Sequence, residues 1–442
     1  MITKRLLHQI VFIGGGSAGL TTASILLKKN KSLDIAIIEP SHKQYYQPGW
    51  TMTGGGVFQI EDTVRDKKDF IPRQATWIAD RVVKLDPDNN AVLTQEGILV
   101  EYDYLIVCPG IQLDWHLIKG LKEAIGKHGV TSNYAPNYAP YTWELLKNFS
   151  GGNALFTFPK TPVKCGGAPQ KIMYMADDTF RSKLGVRQRT NVMFLTPSTK
   201  MFGVPEYSAL LDKVIAEREI DVKFRHNLKE IKAETKEAVF DVFDANGTLM
   251  DEVTHKYQMI HVAPPQSAPD FIKQSPLAVE NSPYGWVDVD KYSLQHNRYP
   301  NVFSLGDASS LPTSKTAAAA RKQAVIVAEN LLALMDSKPL LSKYDGYTCC
   351  PLITGYGKTI MAEFNGYTST PLSSFPLNPI KERWIMWQMK TTLLPWIYWN
   401  RMLKGEQFEG DYIKSIQWQN NQLSCPSGGE PNLMQKLNKN VN

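Results

Sequence analysis

The stretch Ile10-Val-Phe-Ile-Gly-Gly-Gly-Ser-Ala-Gly-Leu20 decides the fold, because three spaced glycines follow an apolar run and lead into a helix-forming segment. Residues 10–13 predict a buried strand, residues 14–19 a tight turn and residues 20–29 a helix. A second apolar run at 32–39 predicts another strand. This strand–helix–strand order predicts a parallel sheet with crossover helices.

Gly14, Gly16 and Gly19 have the GxGxxG spacing of a dinucleotide-binding turn. The first glycine permits the turn, the second lets a pyrophosphate approach, and the third lets helix and strand pack closely. Free N–H groups at the helix N-terminus favour a phosphate there. Glu39 ends the second strand 20 residues after Gly19, where a carboxylate can accept hydrogen bonds from a ribose. A purely structural glycine turn is the alternative.

A distant segment favours a flavin over a nicotinamide dinucleotide. Val302-Phe-Ser-Leu-Gly-Asp307 resembles the second flavin signature of the disulfide-reductase superfamily, in which a strand-end aspartate contacts the ribityl chain. Gly306 and Asp307 are followed by Lys315 and a small-residue helix from residue 316 onward. A lone Gly-Asp turn without a ligand is the alternative. Together with the first motif, this segment predicts FAD.

A second α/β region is predicted from strands at 154–158 and 191–195, with short antiparallel strands between 223 and 259. A nicotinamide-dependent enzyme would carry a second GxGxxG directly after the strand at 154–158. Here that strand leads into Pro159-Lys-Thr-Pro-Val-Lys-Cys-Gly-Gly-Ala-Pro169. Prolines and a cysteine replace the phosphate-binding turn, so this region is predicted to be a dinucleotide fold that is degenerate for NAD.

Length and composition limit the classes of protein. A chain of 442 residues with 43% hydrophobic content predicts two or three domains. Its net charge of +6 is spread over a large surface and does not favour nucleic acid. Five scattered cysteines exclude a secreted disulfide scaffold, and without a CxxC pair we expect no metal. The basic, apolar start leads directly into the glycine motif, so we interpret it as a strand rather than a signal peptide.

The segment after Ser337 has a different character. Arg383-Trp-Ile-Met-Trp-Gln-Met-Lys-Thr-Thr-Leu-Leu-Pro-Trp-Ile-Tyr-Trp-Asn-Arg-Met-Leu403 is amphipathic, contains four of the ten tryptophans and is interrupted by Pro395. No run reaches the roughly 20 apolar residues of a spanning helix. Two short helices at a membrane interface, flanked by basic residues, are predicted. Packing against the core or a partner subunit is the alternative.

Four segments together resemble one family. They are Tyr45-Tyr-Gln-Pro-Gly-Trp-Thr-Met-Thr-Gly-Gly-Gly56, Val163-Lys-Cys-Gly-Gly-Ala-Pro-Gln-Lys-Ile-Met-Tyr174, Leu311-Pro-Thr-Ser-Lys-Thr-Ala-Ala-Ala319 and Lys343-Tyr-Asp-Gly-Tyr-Thr-Cys-Cys-Pro-Leu-Ile-Thr-Gly-Tyr356. They resemble the sulfide:quinone oxidoreductases of the mitochondrial type, and the resemblance extends over about residues 10–404.

The resemblance implies that Cys165 and Cys350 flank the flavin and hold sulfur as a persulfide or a sulfur bridge. Cys349 stands where the family usually has a small polar residue, so which of the two adjacent cysteines reacts stays open. Low thiol pKa values are needed, and Lys164 or Lys171 could lower them or be plain solvated charges. Cys108 is interpreted as a buried structural thiol.

The resemblance also implies which residues bind FAD: Ser17, Ala18, Glu39, Gln47, Val82 and Asp307, with Lys315 near the isoalloxazine. Hydrosulfide would be oxidised to cysteine-bound sulfane sulfur, with two electrons passing through FAD to a membrane quinone. The sulfur would leave on sulfite, glutathione or another thiol. Phe364 and Tyr356 are weak candidates for quinone-facing aromatics and better candidates for the core.

The expected architecture is α/β, with two Rossmann-like domains and a C-terminal docking and quinone region. The expected ranges are 1–114 with 264–336 for FAD, 115–263 for the degenerate domain and 337–442 for the C-terminal region. The protein would be a peripheral, monotopic protein of a bacterial cell membrane or a mitochondrial inner membrane, and a homodimer is possible. Two other functions stay open: a type II NADH:quinone oxidoreductase and a non-catalytic FAD-binding sensor.

Overall fold

The structure is a computed structural model that describes residues 2–374 and 377–406 and the backbone of 416–417. The first third of the chain contains one long α-helix, α1 (Ser17–Lys29), and one short α-helix, α2 (Trp50–Gly54). Its strands are β1 (Lys4–Ile13), β2 (Ile35–Ile38), β3 (Lys43–Tyr45), β4 (Val64–Asp66), β5 (Thr76–Ile78), β6 (Val82–Asp86), β7 (Ala91–Thr94), β8 (Ile98–Val107) and β9 (Gln112–Leu113).

The middle third has a similar alternation of strands and helices. Its helices are α3 (Leu121–Ala124), α4 (Ala139–Lys147), α5 (Ala168–Asp178), α6 (Pro205–Arg218) and α7 (Asp270–Lys273). Its strands are β10 (Val130–Thr131), β11 (Gly152–Thr157), β12 (Thr190–Thr196), β13 (Asp221–Phe224), β14 (His226–Lys232), β15 (Glu237–Phe243), β16 (Leu249–Lys256), β17 (Met259–His261) and β18 (Gln266–Ser267).

The last third returns to the first sheet and then forms the tail. Its helices are α8 (Ala317–Met335), α9 (Trp384–Gln388) and α10 (Leu394–Asn400). Its strands are β19 (Val302–Ser304), β20 (Tyr347–Gly355), β21 (Lys358–Asn365), β22 (Thr370–Ser373) and β23 (Ile416–Gln417). The predicted α/β class is therefore correct.

A seven-stranded sheet carries the glycine turn. Its order is β5-β2-β1-β8-β7-β6, and β19 pairs with the C-terminal end of β8. Strand β1 is parallel to β2 and to β8, so the turn after β1 and the turn after β19 lie at the same edge of the sheet. Strand β1 begins at Lys4, six residues before the predicted start, because its polar first half pairs with β8.

A second, five-stranded parallel sheet has the order β10-β17-β11-β12-β13. Helix α5 follows β11 and helix α6 follows β12, which is the crossover arrangement predicted for the second α/β region. Strands β14, β15 and β16 form the predicted antiparallel sheet, and the turn at Asp244 joins the last two. Buried apolar side chains fill two spaces. One lies between the five-stranded sheet and its helices, and the other lies between that sheet and the antiparallel sheet.

The tail begins at Tyr347: three antiparallel strands precede a nearly continuous helix, and β23 follows that helix as the fourth strand of the sheet. Strands β20 to β23 pair in chain order, and β20 packs its Cys350 side against α5. A π-helical turn at Met389–Leu393 joins α9 to α10. Two short helices are present, as predicted, but Pro395 does not lie between them: it lies in the first turn of α10, directly after the π-helical turn that joins the two helices.

Within the described residues, no helix is long and apolar enough to cross a membrane. The inner face of the tail helices is buried, with Tyr398, Trp399 and Leu403 joining the core of the first sheet. The outer face leaves four large apolar side chains exposed: Trp384, Ile385, Leu393 and Trp396, at 63%, 50%, 42% and 51% of their surface. We call these four residues the outer tail face.

Candidate active site

The glycine turn after β1, residues 14–19, is closely packed at Gly14 and Gly19 and open at Gly16, and we call it the cradle. Gly14 has φ +103°, and a side chain there would lie 2.5 Å from the carbonyl oxygen of Cys108. A side chain at Gly19 would lie 2.0 Å from the Gly14 oxygen, so helix and turn touch. Nothing lies within 4 Å of the corresponding position at Gly16, which leaves room for a phosphate. Ala18, also expected to bind FAD, lies buried in the first turn of the helix that follows.

Cys108 forms part of the wall behind the cradle. Its thiol donates a weak hydrogen bond to the Gly14 oxygen at 3.4 Å and is buried. Burial raises the pKa of this thiol, so it stays protonated and unreactive. Its position agrees with the interpretation of a structural thiol.

The carboxylate of Glu39 is held beside the cradle. It accepts hydrogen bonds from Gly15 N at 2.9 Å and from Ser41 N at 2.8 Å. Lys67, only 3% exposed, approaches it at 3.4 Å and also donates to the Gly15 oxygen at 2.8 Å. Lys67 was not predicted, because it lies 28 residues after Glu39 in a short 3₁₀ turn that belongs to no recognised motif.

The turn after β19 brings Asp307 and Lys315 to the same edge of the sheet. Gly306 N donates to Gln323 Oε1 at 2.8 Å, which joins this turn to α8. Burial raises the pKa of Asp307, although Lys315 and Lys164 oppose the shift. Burial lowers the pKa of Lys315 to about 8, and its Nζ lies 3.9 Å from the ring centre of Trp286.

A narrow crevice lies against this turn, lined by groups that include Gly306, Ser309, Lys315, Thr316 and Gln323. The open position at Gly16 and the half-buried carboxyl group of Asp307, at the same edge of the sheet, fit a dinucleotide that extends from one turn to the other.

Gln47 and Val82, also expected at the cofactor, occupy different surroundings. Gln47 Oε1 accepts a hydrogen bond from Lys164 Nζ at 2.8 Å, and that ammonium also lies 4.9 Å from the Trp50 ring centre. The buried Trp50 Nε1 has no hydrogen-bond partner in the described part of the chain, so it is a donor available to a ligand. Val82 begins the edge strand β6 and is 3% exposed.

Cys165 and Cys350 lie together although 185 residues separate them. Their Sγ atoms are 3.9 Å apart. Cys165 N donates to the Lys315 oxygen at 2.9 Å, which fixes the cysteine loop to the turn that holds Asp307. Cys165 itself has φ +49°, a left-handed conformation that is uncommon for a residue with a side chain and is often found at functional sites.

An ammonium group distinguishes the two thiols. Lys171 Nζ lies 3.2 Å from Cys165 Sγ. A hydrogen bond from Cys350, together with Lys171, holds the pKa of Cys165 well below its usual range. The pKa of Cys350 is raised, because it is the donor to Cys165 and is buried. Cys165 is therefore the thiolate of the pair, and Lys171 rather than Lys164 is its cation.

Lys390 adds a second buried ammonium from the tail. It is 2% exposed, and its Nζ donates to the Pro48 oxygen at 3.0 Å. Burial, together with the charge of Lys171, lowers the pKa of Lys390 to about 7. Lys390 lies within the segment predicted for the membrane interface, where basic residues are expected to face outward, and that expectation was wrong for this lysine. Its place on the inner side of the π-helical turn follows from tail packing.

Cys349 points away from this pair. Successive residues of a strand face opposite sides of a sheet, so Cys349 and its neighbour cannot share one site. Cys349 Sγ lies 3.6 Å from Met361 Sδ in an apolar cluster, and burial raises the pKa of its thiol. Cys425 lies outside the described residues.

The two aromatic residues named as weak quinone candidates belong to the core. Phe364 is 6% exposed and packs edge-on against Phe202, with ring centres 5.6 Å apart. The Tyr356 hydroxyl bonds to the Gly55 oxygen and lies 3.2 Å from Thr179 Oγ1. Both therefore connect elements of the fold.

Known proteins are similar to this chain over most of its length. The family described as "Pyridine nucleotide-disulphide oxidoreductase" matches residues 8–141. The mitochondrial sulfide:quinone oxidoreductase of Mus musculus is 46% identical over 400 residues, which cover 90% of this chain and 87% of the relative. The protein of the same name from Dictyostelium discoideum is 48% identical over 402 residues, with the same coverage. The chain belongs to the sulfide:quinone oxidoreductase family.

The fold agrees with that membership. The crystal structure of the sulfide:quinone oxidoreductase from Aquifex aeolicus superposes with a TM-score of 0.74 at 22% identity, and the match covers 91% of this chain and 92% of that one. A sulfide:quinone oxidoreductase is an enzyme, so the hypothesis of a non-catalytic FAD-binding sensor is excluded. Membership also makes the cofactor a flavin, for which the two turns supply the binding cradle.

Proposed function

We propose that this enzyme oxidises hydrosulfide at the Cys165–Cys350 pair and passes two electrons through FAD to a membrane quinone. The observation that carries the proposal is the low-pKa Cys165 thiolate, 3.9 Å from Cys350 and tied by its backbone to the Asp307 turn. An enzyme that takes its electrons from NADH would have no use for such a cysteine pair. The sulfur chemistry therefore replaces nicotinamide as the source of electrons.

The sulfur steps balance when the flavin takes up the two electrons and an acceptor nucleophile takes up the sulfur. Hydrosulfide attacks the oxidised sulfur bridge between them, the S–S bond breaks, and Cys350 carries a persulfide while Cys165 leaves as a thiolate. The thiolate and the persulfide then rejoin through the added sulfur, which releases two electrons and the persulfide proton. An acceptor nucleophile removes the added sulfur and restores the original bridge. Sulfite, glutathione or another thiol fits this last role.

Lys171 stabilises the departing Cys165 thiolate. A leaving thiol of low pKa departs faster, and the ammonium 3.2 Å away supplies the stabilising charge. FAD, when bound, accepts the two electrons and delivers them to the quinone.

We assign the FAD cradle to the residues expected from the sequence. The pyrophosphate would lie at Gly14, Gly16, Ser17, Ala18 and Gly19, and the ribose at Glu39. The flavin end would lie near Gly306, Asp307, Lys315 and Gln47, and Val82 would line the edge of the site. We also propose that residues 1–114 and 264–336 form the FAD domain, 115–263 the degenerate domain and 337–442 the C-terminal region.

The outer tail face is the proposed contact with the membrane, and it makes the enzyme peripheral. Trp384 and Trp396 are amphipathic side chains suited to the interface, and Arg383 and Arg401 flank them with positive charge. Lys390, on the other side of the same helical segment, is buried and lies within electrostatic range of the reactive pair. A quinone that leaves the membrane here would meet the flavin near that lysine. Whether the enzyme pairs with a second copy does not enter the mechanism, and a homodimer is compatible with it.

Stopped-flow absorbance tests the proposed function. Hydrosulfide mixed with the FAD-loaded enzyme is expected to bleach the visible flavin band, and a soluble quinone analogue is expected to restore it. Cys165→Ser and Cys350→Ser should each slow the bleaching by about 1,000-fold or more, since each removes half of the sulfur bridge. Undiminished bleaching in both variants would overturn the assignment.

Cys349→Ser is the matched control, since it changes a buried thiol on the adjacent residue without touching the pair. It should bleach at nearly the rate of the unmodified enzyme. A large loss in this variant, with normal flavin content, would move the chemistry to Cys349.

A further inference from the structure

Tyr398 on α10 is the hub of a buried hydrogen-bond network. Its hydroxyl donates to the Tyr45 oxygen at 2.8 Å and accepts from Gln44 Nε2 at 2.7 Å. The Ser17 hydroxyl lies 2.8 Å away and is the second donor, because a phenol has one proton to give and two lone pairs to accept with. Tyr398 is 2% exposed, and burial raises its pKa to about 12, so the proton stays in place.

The network continues from Gln44 into the cradle. Gln44 Oε1 accepts from Lys67 Nζ at 3.0 Å. The same ammonium donates to the Gly15 oxygen and lies beside Glu39. One residue of the tail is therefore joined through a single chain of bonds to both the phosphate end and the ribose end of the dinucleotide site.

The rest of the tail lies against α1, the helix that follows the cradle. Ser24 Oγ donates to the Leu403 oxygen at 2.9 Å. A side chain at Gly405 would lie 2.6 Å from Ile25 N, so the two backbones are in contact. Trp399 packs on Phe70 with ring centres 5.2 Å apart. These contacts make the tail a cover on α1 rather than a separate appendage.

Ser17 is the residue through which this cover reaches the cofactor. It is the first residue of α1, next to Gly16, where no protein atom blocks the approach of a phosphate. The bond to Tyr398 takes the one proton of the Ser17 hydroxyl and fixes the side chain in one rotamer, so the free N–H groups at the start of α1, rather than the hydroxyl, would bind the phosphate. A side chain that is ordered before the ligand arrives lowers the cost of binding. Without that bond the side chain would have to be ordered as the ligand binds.

We propose that Tyr398 is a positioning residue of the dinucleotide site, through which helix α10 and the bound cofactor stabilise each other. The inference rests on the FAD cradle of the proposed function. Because binding free energies are reciprocal, a cofactor held more tightly by the seated tail also holds the tail more tightly on α1. The tail thus takes part in retaining the cofactor as well as facing outward.

Tyr398→Phe in the full-length, FAD-loaded enzyme tests the proposal. The ring and its packing remain, and only the hydroxyl hub is lost. We expect FAD to leave the variant about tenfold faster, measured as free flavin in an ultrafiltrate over time, since two or three bonds of modest net strength are removed. Hydrogen exchange of the amides in 394–400 should also become faster on removal of FAD from the unmodified enzyme.

Tyr207→Phe is the matched control. Tyr207 is 0% exposed and donates to the Glu363 oxygen at 2.9 Å, so the change removes one buried hydroxyl that has no connection to the cradle. It should release FAD at the rate of the unmodified enzyme. Ser17→Ala combined with Tyr398→Phe should accelerate release by less than the product of the two single effects, because both break the same link.

The outcomes separate the two proposals. A purified chain that contains no flavin would overturn the proposed function. If the unmodified enzyme contains FAD, an unchanged release rate in Tyr398→Phe, or unchanged exchange in 394–400 after FAD removal, would overturn the positioning role alone. Equal acceleration in Tyr207→Phe would do the same, since it would reduce the effect to a general loss of stability.

Discussion

The two reactive cysteines are chemically equivalent in the sequence and different in the structure, because one ammonium group lies beside one of them. Lys171→Met should raise the pKa of Cys165 and shift its alkylation by iodoacetamide toward higher pH, by about one pH unit or more. Thiolate is lost as pH falls through the thiol pKa, so the variant should react more slowly at pH 7. Peptide mass spectrometry on the reduced enzyme separates Cys165 from the other cysteines.

Lys160→Met is the control for this experiment, because it changes an exposed lysine on the same loop. It should leave the alkylation profile of Cys165 unchanged. If Lys171→Met also leaves the profile unchanged, the charge that activates Cys165 comes from another group.

Lys390 carries a pH-dependent cost that the rest of the tail must offset. Its pKa is about 7 in the folded protein, well below the ordinary value of 10.5, chiefly because it is buried. Between these two values the unfolded chain binds the extra proton, so stability rises with pH there and the cost is largest below pH 7. Lys390→Met should therefore raise the melting temperature by about 2–4 °C at pH 6, with a smaller gain at pH 9.

Thermal unfolding of the FAD-loaded enzyme at pH 6 and pH 9 checks this expectation. Lys381→Met, an exposed change in the same segment, should shift the melting temperature little at either pH. A stabilisation by Lys390→Met that grows with pH would contradict the sign of the shift.

At the scale of elements, the N-terminus of α5 and strand β20 must approach closely for the cysteines to meet. A side chain at Gly167 would lie 2.7 Å from Cys350 Sγ and 2.6 Å from Leu352 Cδ2. Gly167→Ala should push β20 away and slow flavin bleaching by sulfide about tenfold or more, since small misplacements of reacting groups are costly. FAD content should stay normal, because the contact lies outside the cradle.

The adjacent Gly166 provides the control for that variant. A side chain there would meet only Phe158, at an ordinary 3.8 Å. Gly166→Ala should therefore keep most of the bleaching rate, as measured in the same stopped-flow experiment. Equal losses in both alanine variants would mean that loop flexibility, and not the contact with Cys350, limits the reaction.

The tail helices present a second element-scale test. Trp396→Glu places a charge in the outer tail face and should reduce co-sedimentation with anionic lipid vesicles by about fivefold or more. Leu249→Glu on β16 is the control, because Leu249 is also exposed, at 56%, and lies in the antiparallel sheet of the middle third. Equal binding by both variants would place membrane contact elsewhere.

For the molecule as a whole, the fold could be predicted wherever a local pattern determines it. Gly14, Gly16 and Gly19 have fixed tasks at fixed spacing, and apolar runs in the sequence predicted the central strands of the seven-stranded and five-stranded sheets. The first half of β1 could not be predicted, because its polar residues form a strand only by pairing with β8.

The candidate site was partly accessible in the same way. Cys165 and Cys350 came from the resemblance, while the choice against Cys349 required the alternation of side chains along β20. Lys67 and Tyr398 were missed, because their roles arise only when segments distant in sequence meet in a buried network. No spacing rule in the chain connects residue 398 to residue 17.

The packing between the two halves also decides which electron donor the enzyme can use. In a nicotinamide-binding unit the N-terminus of the helix after the first strand receives a phosphate. Here that helix is α5, and its N-terminal residue Gly167 is covered by Cys350 and Leu352 from β20. A phosphate would have to displace the reactive pair, so the sulfur site and a nicotinamide site exclude each other.

NADH should therefore reduce the flavin on the order of 100-fold more slowly than an equal concentration of hydrosulfide, because a few phosphate hydrogen bonds are lost. Anaerobic stopped-flow absorbance with each donor in turn measures the ratio, and comparable rates would restore the NADH:quinone oxidoreductase hypothesis.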